Sequence, residues 1–408
     1  LFTEPVQRIA LGRNAQREHL ERFLSPAAAP LPGDPDLPPF RSGWFATVSY
    51  DFGSRLEPRA QGAAPPTVAH DLSQWPLAEF HRAEWCLAFD RLRSRWWFAG
   101  NPDLAPDGLS PTDPAPFRTR DLAPETTRAE YTARVAAALD LIRAGDVYQV
   151  NLTHALTARF AGSARGLYLA LARAAQPWYG AYLEADDLAC RRAFLSVSPE
   201  LFLAYDARSR LLTARPMKGT RRDANASTLR DSPKENAELT MIVDLMRNDL
   251  GRVCEPGTVR VAVPRDIEHH GAGAAALLQA TATIQGRLRG ELAPGAILGA
   301  TFPGGSITGA PKVRAMQIIE DLERSARGPY CGAHGFIDDS GSFSLAMSIR
   351  TALLTGEPGA ENDEFLNAYL RYGVGAGIVA DSDPDAEWLE TLDKAAVLER
   401  ATGLTLPR

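Results

Sequence analysis

Between residues 126 and 144, apolar side chains fall at Tyr131, Val135, Ala138, Leu139 and Ile142, a spacing near 3.6 that predicts an amphipathic helix. A second stripe, Leu239, Ile242, Val243, Met246 and Leu250, follows Ser232-Pro233-Lys234-Glu235. There Ser232 suits the N-cap, Pro233 the first turn and Glu235 the reciprocal capping position. A third helix carries Val313, Met316, Ile319 and Leu322, and a fourth starts at Asp383-Pro384. Apolar, mostly aromatic or branched runs at residues 43–50, 85–98, 147–153, 194–197, 201–205 and 211–214 predict strands. Proline-rich residues 26–39 and 102–116 break the first third with loops. Residues 1–120 therefore read as a mostly-β N-terminal region and 121–408 as the region carrying the chemistry, the two expected to form one intertwined unit. Elements cluster by type instead of alternating, which predicts an α+β fold.

Composition narrows the partners. The chain has 408 residues and a net charge of -6, so a broad basic face for nucleic acid is not expected. An acidic chain that takes an anion must build a local cationic pocket or use a metal. Cys86, Cys190, Cys254 and Cys331 lie far apart with no CxxC pair, which argues against a zinc knuckle and a disulfide framework and fits a reducing cytoplasm. No apolar run reaches the roughly 18 residues of a membrane helix, and no secretory signal stands at Leu1. The first residue is not methionine, which points to a processed or incomplete start.

Several segments carry candidate chemistry. Arg215-Pro216-Met217-Lys218-Gly219-Thr220 sets one lysine between a stiff proline and a permissive glycine, in what reads as a turn after a meander of strands. Such a lysine is either a positioned nucleophile or a solvated charge. Glu235 and Glu238 lie on or beside the stripe of the second helix, and Glu387 and Glu390 are surface neighbours on the fourth. Two helices each offering a carboxylate pair suit a hard cation such as Mg²⁺; Glu390 and Lys394 also have the spacing of an ordinary ion pair. The run from Phe302 to Lys312 feeds glycines into a helix N-terminus, either an anion cradle or a tight turn, and it lacks the P-loop Lys-Ser/Thr. The glycines of Tyr372-Gly373-Val374-Gly375-Ala376-Gly377 interrupt a strand, which is useful where something must approach the backbone. Arg350 ends an apolar strand and can fork onto a carboxylate or a structural partner.

In order, these segments resemble the chorismate-utilising enzymes. The resemblance rests on Gln149-Val150-Asn151-Leu152, Ser198-Pro199-Glu200, Pro216-Met217-Lys218-Gly219-Thr220, Lys234-Glu235-Asn236-Ala237-Glu238, Val243-Asp244-Leu245 with Arg247-Asn248-Asp249, the run from Pro303 to Lys312, Gly375-Ala376-Gly377-Ile378-Val379 and Glu387-x-x-Glu390-Thr391. It covers roughly residues 125–400, and Ser49-Tyr50-Asp51-Phe52-Gly53 fits the family's N-terminal part. The lysine of Pro-x-Lys-Gly-Thr is similar to the aminodeoxychorismate synthase component I branch; anthranilate synthases usually have alanine there. Isochorismate and salicylate synthases have a water-activating lysine where this chain has Gln149.

The resemblance implies two large antiparallel β-sheets packed as a sandwich with helices outside, a Mg²⁺ cofactor, chorismate as substrate, and ammonia from a separate glutamine amidotransferase subunit. It implies Glu238 and Glu390 as metal ligands supported by Glu235 and Glu387. It places Arg350 and Tyr330 on the pyruvyl carboxylate, and Gly375, Ala376, Gly377 and Lys394 near the ring carboxylate. Ser306, Thr220, Gln149 and Gln279 complete the expected substrate contacts. Gln279 stands where the family usually has histidine, though its amide still donates a hydrogen bond. The start also lacks several strands that carry the tryptophan pocket of relatives. Lys218 is expected to attack ring C2 while Glu200 protonates the departing C4 hydroxyl. A free lysine has a pKa of about 10.4, so only roughly one in a few thousand is neutral at pH 7, and desolvation or nearby cations must help. Glu200 must hold its proton before the reaction. Anthranilate synthase component I, and a non-catalytic subunit that binds chorismate or tryptophan, are the alternatives.

Overall fold

The computed structural model describes residues 5–24, 38–63, 66–91, 93–105, 115–187, 190–221, 233–270, 277–360 and 363–406. The first periodic stripe forms helix Arg128–Arg143. Thr127 caps it reciprocally: its hydroxyl accepts from the Glu130 N–H, and the Glu130 carboxylate accepts from the Thr127 N–H at 2.9 Å. Tyr131, Val135, Ala138 and Leu139 bury the predicted face. The second stripe forms helix Pro233–Gly251 and buries Leu239, Ile242, Val243, Met246 and Leu250. The capping roles expected of Ser232 and the Glu235 side chain lie outside the described residues.

Two antiparallel sheets hold the rest. In the ten-stranded sheet the order is Gln7–Leu11, Ala78–Ala83, Gly43–Val48, Ala333–Asp338, Phe343–Met347, Leu201–Asp206, Leu211–Arg215, Leu277–Arg287 and Met217–Arg221, with Arg260–His270 also on Leu277–Arg287. The seven-stranded sheet runs Gly309–Ala310, Gln149–Ser163, Glu364–Ile378, Thr351–Pro358, Cys190–Ser198 and Tyr179–Asp187, with Phe117–Pro124 on Gln149–Ser163. Side chains from both sheets share one continuous apolar core, with helices packed outside them. N-terminal strand Gly43–Val48 lies directly on Ala333–Asp338, so early and late chain segments share a ladder.

Three expectations change. Residues 85–98 are not one strand but a separate hairpin, Cys86–Asp90 with Arg95–Ala99, whose turn begins where Asp90 accepts from the Arg93 N–H at 3.1 Å. Tyr50 leaves its strand for a 3₁₀ turn. Lys218 is not in a turn: it lies in strand Met217–Arg221, opposite Ala280, and the ladder slips register between Lys218 and Thr220. Gly219 sits at that slip, the kind of position where a β-bulge uses glycine.

A buried ion pair ties the segments around the later site. Arg327 donates to Glu323 Oε2 at 2.9 Å and Oε1 at 2.6 Å, and both side chains are at most 3% exposed. Its remaining N–H groups reach the carbonyls of Ile307 at 2.9 Å and Asn151 at 2.7 Å. Glu323 also accepts from the Thr153 N–H at 2.7 Å. The Tyr50 ring lies 4.3 Å from the guanidinium, and Asp51 accepts from the N–H groups of Arg327 and Gly328. Breaking a buried pair strands one charge, so Glu323→Gln is expected to lower unfolding stability by about 3–5 kcal/mol. Urea denaturation checks this; an unchanged midpoint would show the pair to be dispensable.

Candidate active site

Residues from both sheets and from helix Pro384–Lys394 line a cavity of about 680 Å³. Most of the chemistry-bearing segments picked out in the sequence meet on its walls: Lys218, Glu200, Arg350, Tyr330, Ser306, Gln279, Gly375, Gly377, Lys394, Glu238, Glu387 and Glu390. Ala376 is buried in the core and is not on the wall. The Thr220 and Glu235 side chains lie outside the described residues; the Thr220 backbone is paired with Gln279.

Lys218 enters from the edge of the large sheet and Gly377 receives it from the small one. A Cβ on Gly377 would sit 2.7 Å from Lys218 Nζ and 3.0 Å from Gln149 Nε2. Gln149 is buried behind this point, and neither end of its amide has a partner among the described residues. Lys218 Nζ pairs with Glu238 Oε2 at 3.4 Å. Arg215 ends the preceding strand, Leu211–Arg215, and pairs with Glu268. Gly373 plays the same part for an aromatic ring: its Cβ would lie 2.2 Å from the Tyr330 ring. The strand glycines thus exist for close approach, two of them by side chains.

Glu200 follows the Cys190–Ser198 strand and is buried. Burial pushes its pKa up to about 7, against a hydrogen bond with Ser306 and the nearby charges of Lys218 and Arg350. Arg350 holds a left-handed backbone angle of φ 50. Its guanidinium is desolvated, which lowers its pKa, and it forms no ion pair among the described residues. A desolvated guanidinium with no ion pair among the described residues is a ready site for an anion.

The carboxylates have separate partners. Glu387 is 5% exposed and accepts from Ser382 Oγ at 2.6 Å. Glu390 forms the i,i+4 pair with Lys394 at 2.9 Å, and Lys394 also donates to the Gly375 carbonyl at 2.6 Å. Among the described residues no three His, Cys, Asp or Glu side chains converge into a metal cage. Glu238, Glu387 and Glu390 all line the cavity, and their oxygens fit the chemistry of Mg²⁺, which takes one or two carboxylates and completes its shell with water and substrate oxygens.

The glycine-rich run, read as an anion cradle or a tight turn, contributes a 3₁₀ turn at Gly305–Ile307 and a short strand at Gly309–Ala310. Lys312 bonds Asp249 Oδ2 at 2.6 Å and the Thr301 carbonyl at 2.8 Å, and the cavity takes only Ser306 and Ile307 from this segment. Asn151, Tyr372, Asp393 and Arg400 also line the cavity and were missed. Asn151 lay inside the Gln-Val-Asn-Leu segment and was legible there; nothing in local spacing marks Tyr372 or Arg400.

Residues 1–400 match the family described as chorismate binding enzyme. The chain belongs to that family. It is 35% identical over 382 residues to aminodeoxychorismate synthase component 1 of Salmonella typhimurium, spanning 88% of this chain and 76% of that one. It is 33% identical over 409 residues to anthranilate synthase component 1 of Thermus thermophilus, spanning 94% and 82%. Among solved structures, anthranilate synthase component I from Streptococcus pneumoniae superposes with a TM-score of 0.75 at 26% identity, covering 98% of this chain and 90% of that one. A putative isochorismate synthase from Bacillus anthracis has a TM-score of 0.62 at 19% identity, with coverage of 95% and 100%, a likeness of fold. The chorismate-binding fold is thus the two-sheet sandwich described above.

In this chorismate-binding chain the Gly377 gap is needed by Lys218. Gly377→Ala is expected to displace Nζ and lower turnover of chorismate about a hundred-fold, as misplacement of a reacting group does. Steady-state kinetics beside an unchanged circular dichroism spectrum checks it; wild-type turnover would show that the gap has no role.

Proposed function

We propose that this chain converts chorismate and ammonia into 4-amino-4-deoxychorismate and water, toward 4-aminobenzoate and folate. The observation that carries the reading is Lys218 on one cavity wall with a buried Glu200 whose pKa is about 7. Relatives named aminodeoxychorismate synthase component 1 support it.

Arg350 and Tyr330 bind the pyruvyl carboxylate; Lys394 and the Gly375–Gly377 backbone lie at the ring carboxylate. Lys218 Nζ attacks C2, both ring double bonds shift by one position toward C4, and the C4–O bond breaks. Glu200 gives its proton to that oxygen, which leaves as water. Ammonia then bonds to C4, both double bonds shift back, and the C2–N bond to Lys218 breaks. The ammonium formed at C4 returns a proton to Glu200, so the net change is exchange of hydroxyl for amine. Glu238, Glu387 and Glu390, with Glu235 from the same helix as Glu238, would hold Mg²⁺, which would supply Lewis-acid charge stabilisation at the ring carboxylate. Ammonia comes from a glutamine amidotransferase subunit; "component 1" in the relatives' names accords with a second component. Four free cysteines fit the reducing cytoplasm.

Incubation with chorismate, Mg²⁺ and an ammonium salt tests this. The expected product retains the pyruvyl group, and a chelator abolishes turnover. Released pyruvate with a fluorescent product would mean anthranilate instead, and no turnover would favour a binding subunit. Without ammonia, intact mass is expected to reveal a chorismate-derived adduct in the wild type that Lys218→Ala lacks. An unmodified wild-type protein would count against covalent catalysis.

The proton on Glu200 sets a pH limb. Its folded pKa is raised to about 7, so the acid form prevails below that value and is lost above it. A plot of kcat/KM against pH is expected to fall on the alkaline side of about 7. A flat profile from pH 6 to 8.5 would remove Glu200 as the acid.

A further inference from the structure

One polar group on the cavity wall has no role in the chemistry above. Tyr372 belongs to strand Glu364–Ile378 and stands next to Gly373, the residue that admits the Tyr330 ring. Tyr372 is fully buried, it lines the cavity, and its hydroxyl has no hydrogen-bond partner among the described residues. A buried hydroxyl left without a partner is destabilising, so one kept at a cavity wall calls for an acceptor. The charged groups that act on it are the guanidiniums of Arg350 and Arg400, both on the same cavity. Arg350 itself forms no ion pair among the described residues. A donor without an acceptor beside a cation without a counter-ion is half of an anion site. One carboxylate would complete both. Burial also raises the phenol's pKa, so the group stays a donor. A phenylalanine would fill the same apolar space, and packing alone leaves the hydroxyl unexplained.

We propose that Tyr372 is a further substrate-binding residue, whose hydroxyl donates to the carboxylate held by Arg350. On the functional reading above, on which this inference rests, that group is the pyruvyl carboxylate of chorismate. Tyr330 and Tyr372 then approach it from neighbouring segments, and Arg400 adds positive charge to the same wall. An intact pyruvyl group is what an aminating enzyme must keep, and holding its carboxylate from several directions fixes it.

The test is Tyr372→Phe, which removes one oxygen and preserves the ring. The Kd and KM for chorismate are expected to rise roughly ten-fold to a hundred-fold, as for a lost hydrogen bond to a charged group. The kcat and the urea midpoint are expected to stay within about two-fold and within error of wild type, because the reacting atoms lie at Lys218 and Glu200. Against a chorismate analogue methylated on the pyruvyl carboxylate, wild type and variant are expected to bind alike. Unchanged affinity for chorismate would overturn the proposal, and so would an equal loss against the methyl ester. If the wild type itself fails to bind chorismate by calorimetry, the functional reading fails, and this inference with it.

Discussion

Arg327 is fully buried and its charge must be answered inside the protein. Glu323 answers it directly, and the carbonyls of Asn151 and Ile307 take the remaining N–H groups. Those two residues line the cavity, one from the small sheet and one from the segment before helix Lys312–Glu323. The next residues after Arg327 lead to Tyr330 and Cys331, on the same wall. One desolvated pair therefore fixes three separate segments of the site at once. A charged pair is costly to bury, and apolar residues of equal volume often serve stability as well. Its value here is geometric: the guanidinium fork has fixed directions, so it sets where two backbone segments stop relative to each other.

The cavity that results is electrically incomplete by itself. Arg350 forms no ion pair among the described residues, and burial raises the Glu200 pKa to about 7, where half of the population is neutral. Lys218 and Lys394 are both paired with glutamates. A dicarboxylate ring entering such a space meets two guanidiniums without an ion pair among the described residues, Arg350 and Arg400, two lysines whose carboxylate partners can turn to a divalent ion, and one acid with a pKa raised to about 7. On the proposed reading, each feature meets a charge that the substrate carries or develops, which is where preorganised groups are most effective. The glycines of strand Glu364–Ile378 make the space: with side chains at 373 and 377, the Tyr330 ring and Lys218 Nζ would both be excluded.

Much of this was legible in the chain. Amphipathic stripes marked helices Arg128–Arg143 and Pro233–Gly251, because helix formation is local and its period is written in adjacent residues. The ordered motifs identified the family and thereby the sandwich. Local reading failed where pairing was decided far away. Lys218 looked like a turn residue between Pro216 and Gly219, yet Ala280 recruits it as a strand across the ladder. Residues 85–98 looked like one aromatic strand, but their middle bends so that Phe89 can face Trp96 across a hairpin. The run ending at Lys312 read equally as an anion cradle or a tight turn, and its lysine is taken by Asp249 from another helix. Tyr372 and Arg400 carried no local signal at all, since a cavity wall is defined only by what folds around it.

The strand placement of Lys218 bears on its chemistry. A lysine in a surface turn would sample many directions, and each attack would first have to freeze a long side chain. A lysine on a paired strand has its Cα fixed by the ladder. The register slip beside it then aims the side chain across the gap, toward a glycine that offers no obstruction. Only the side-chain torsions remain to be set, and Glu238 at 3.4 Å holds the terminal amine on the cavity side. The motif's proline and glycine therefore act less as a turn than as a bend and a bulge at the edge of a sheet. They give a long, flexible cation a defined position, the property that proximity catalysis requires.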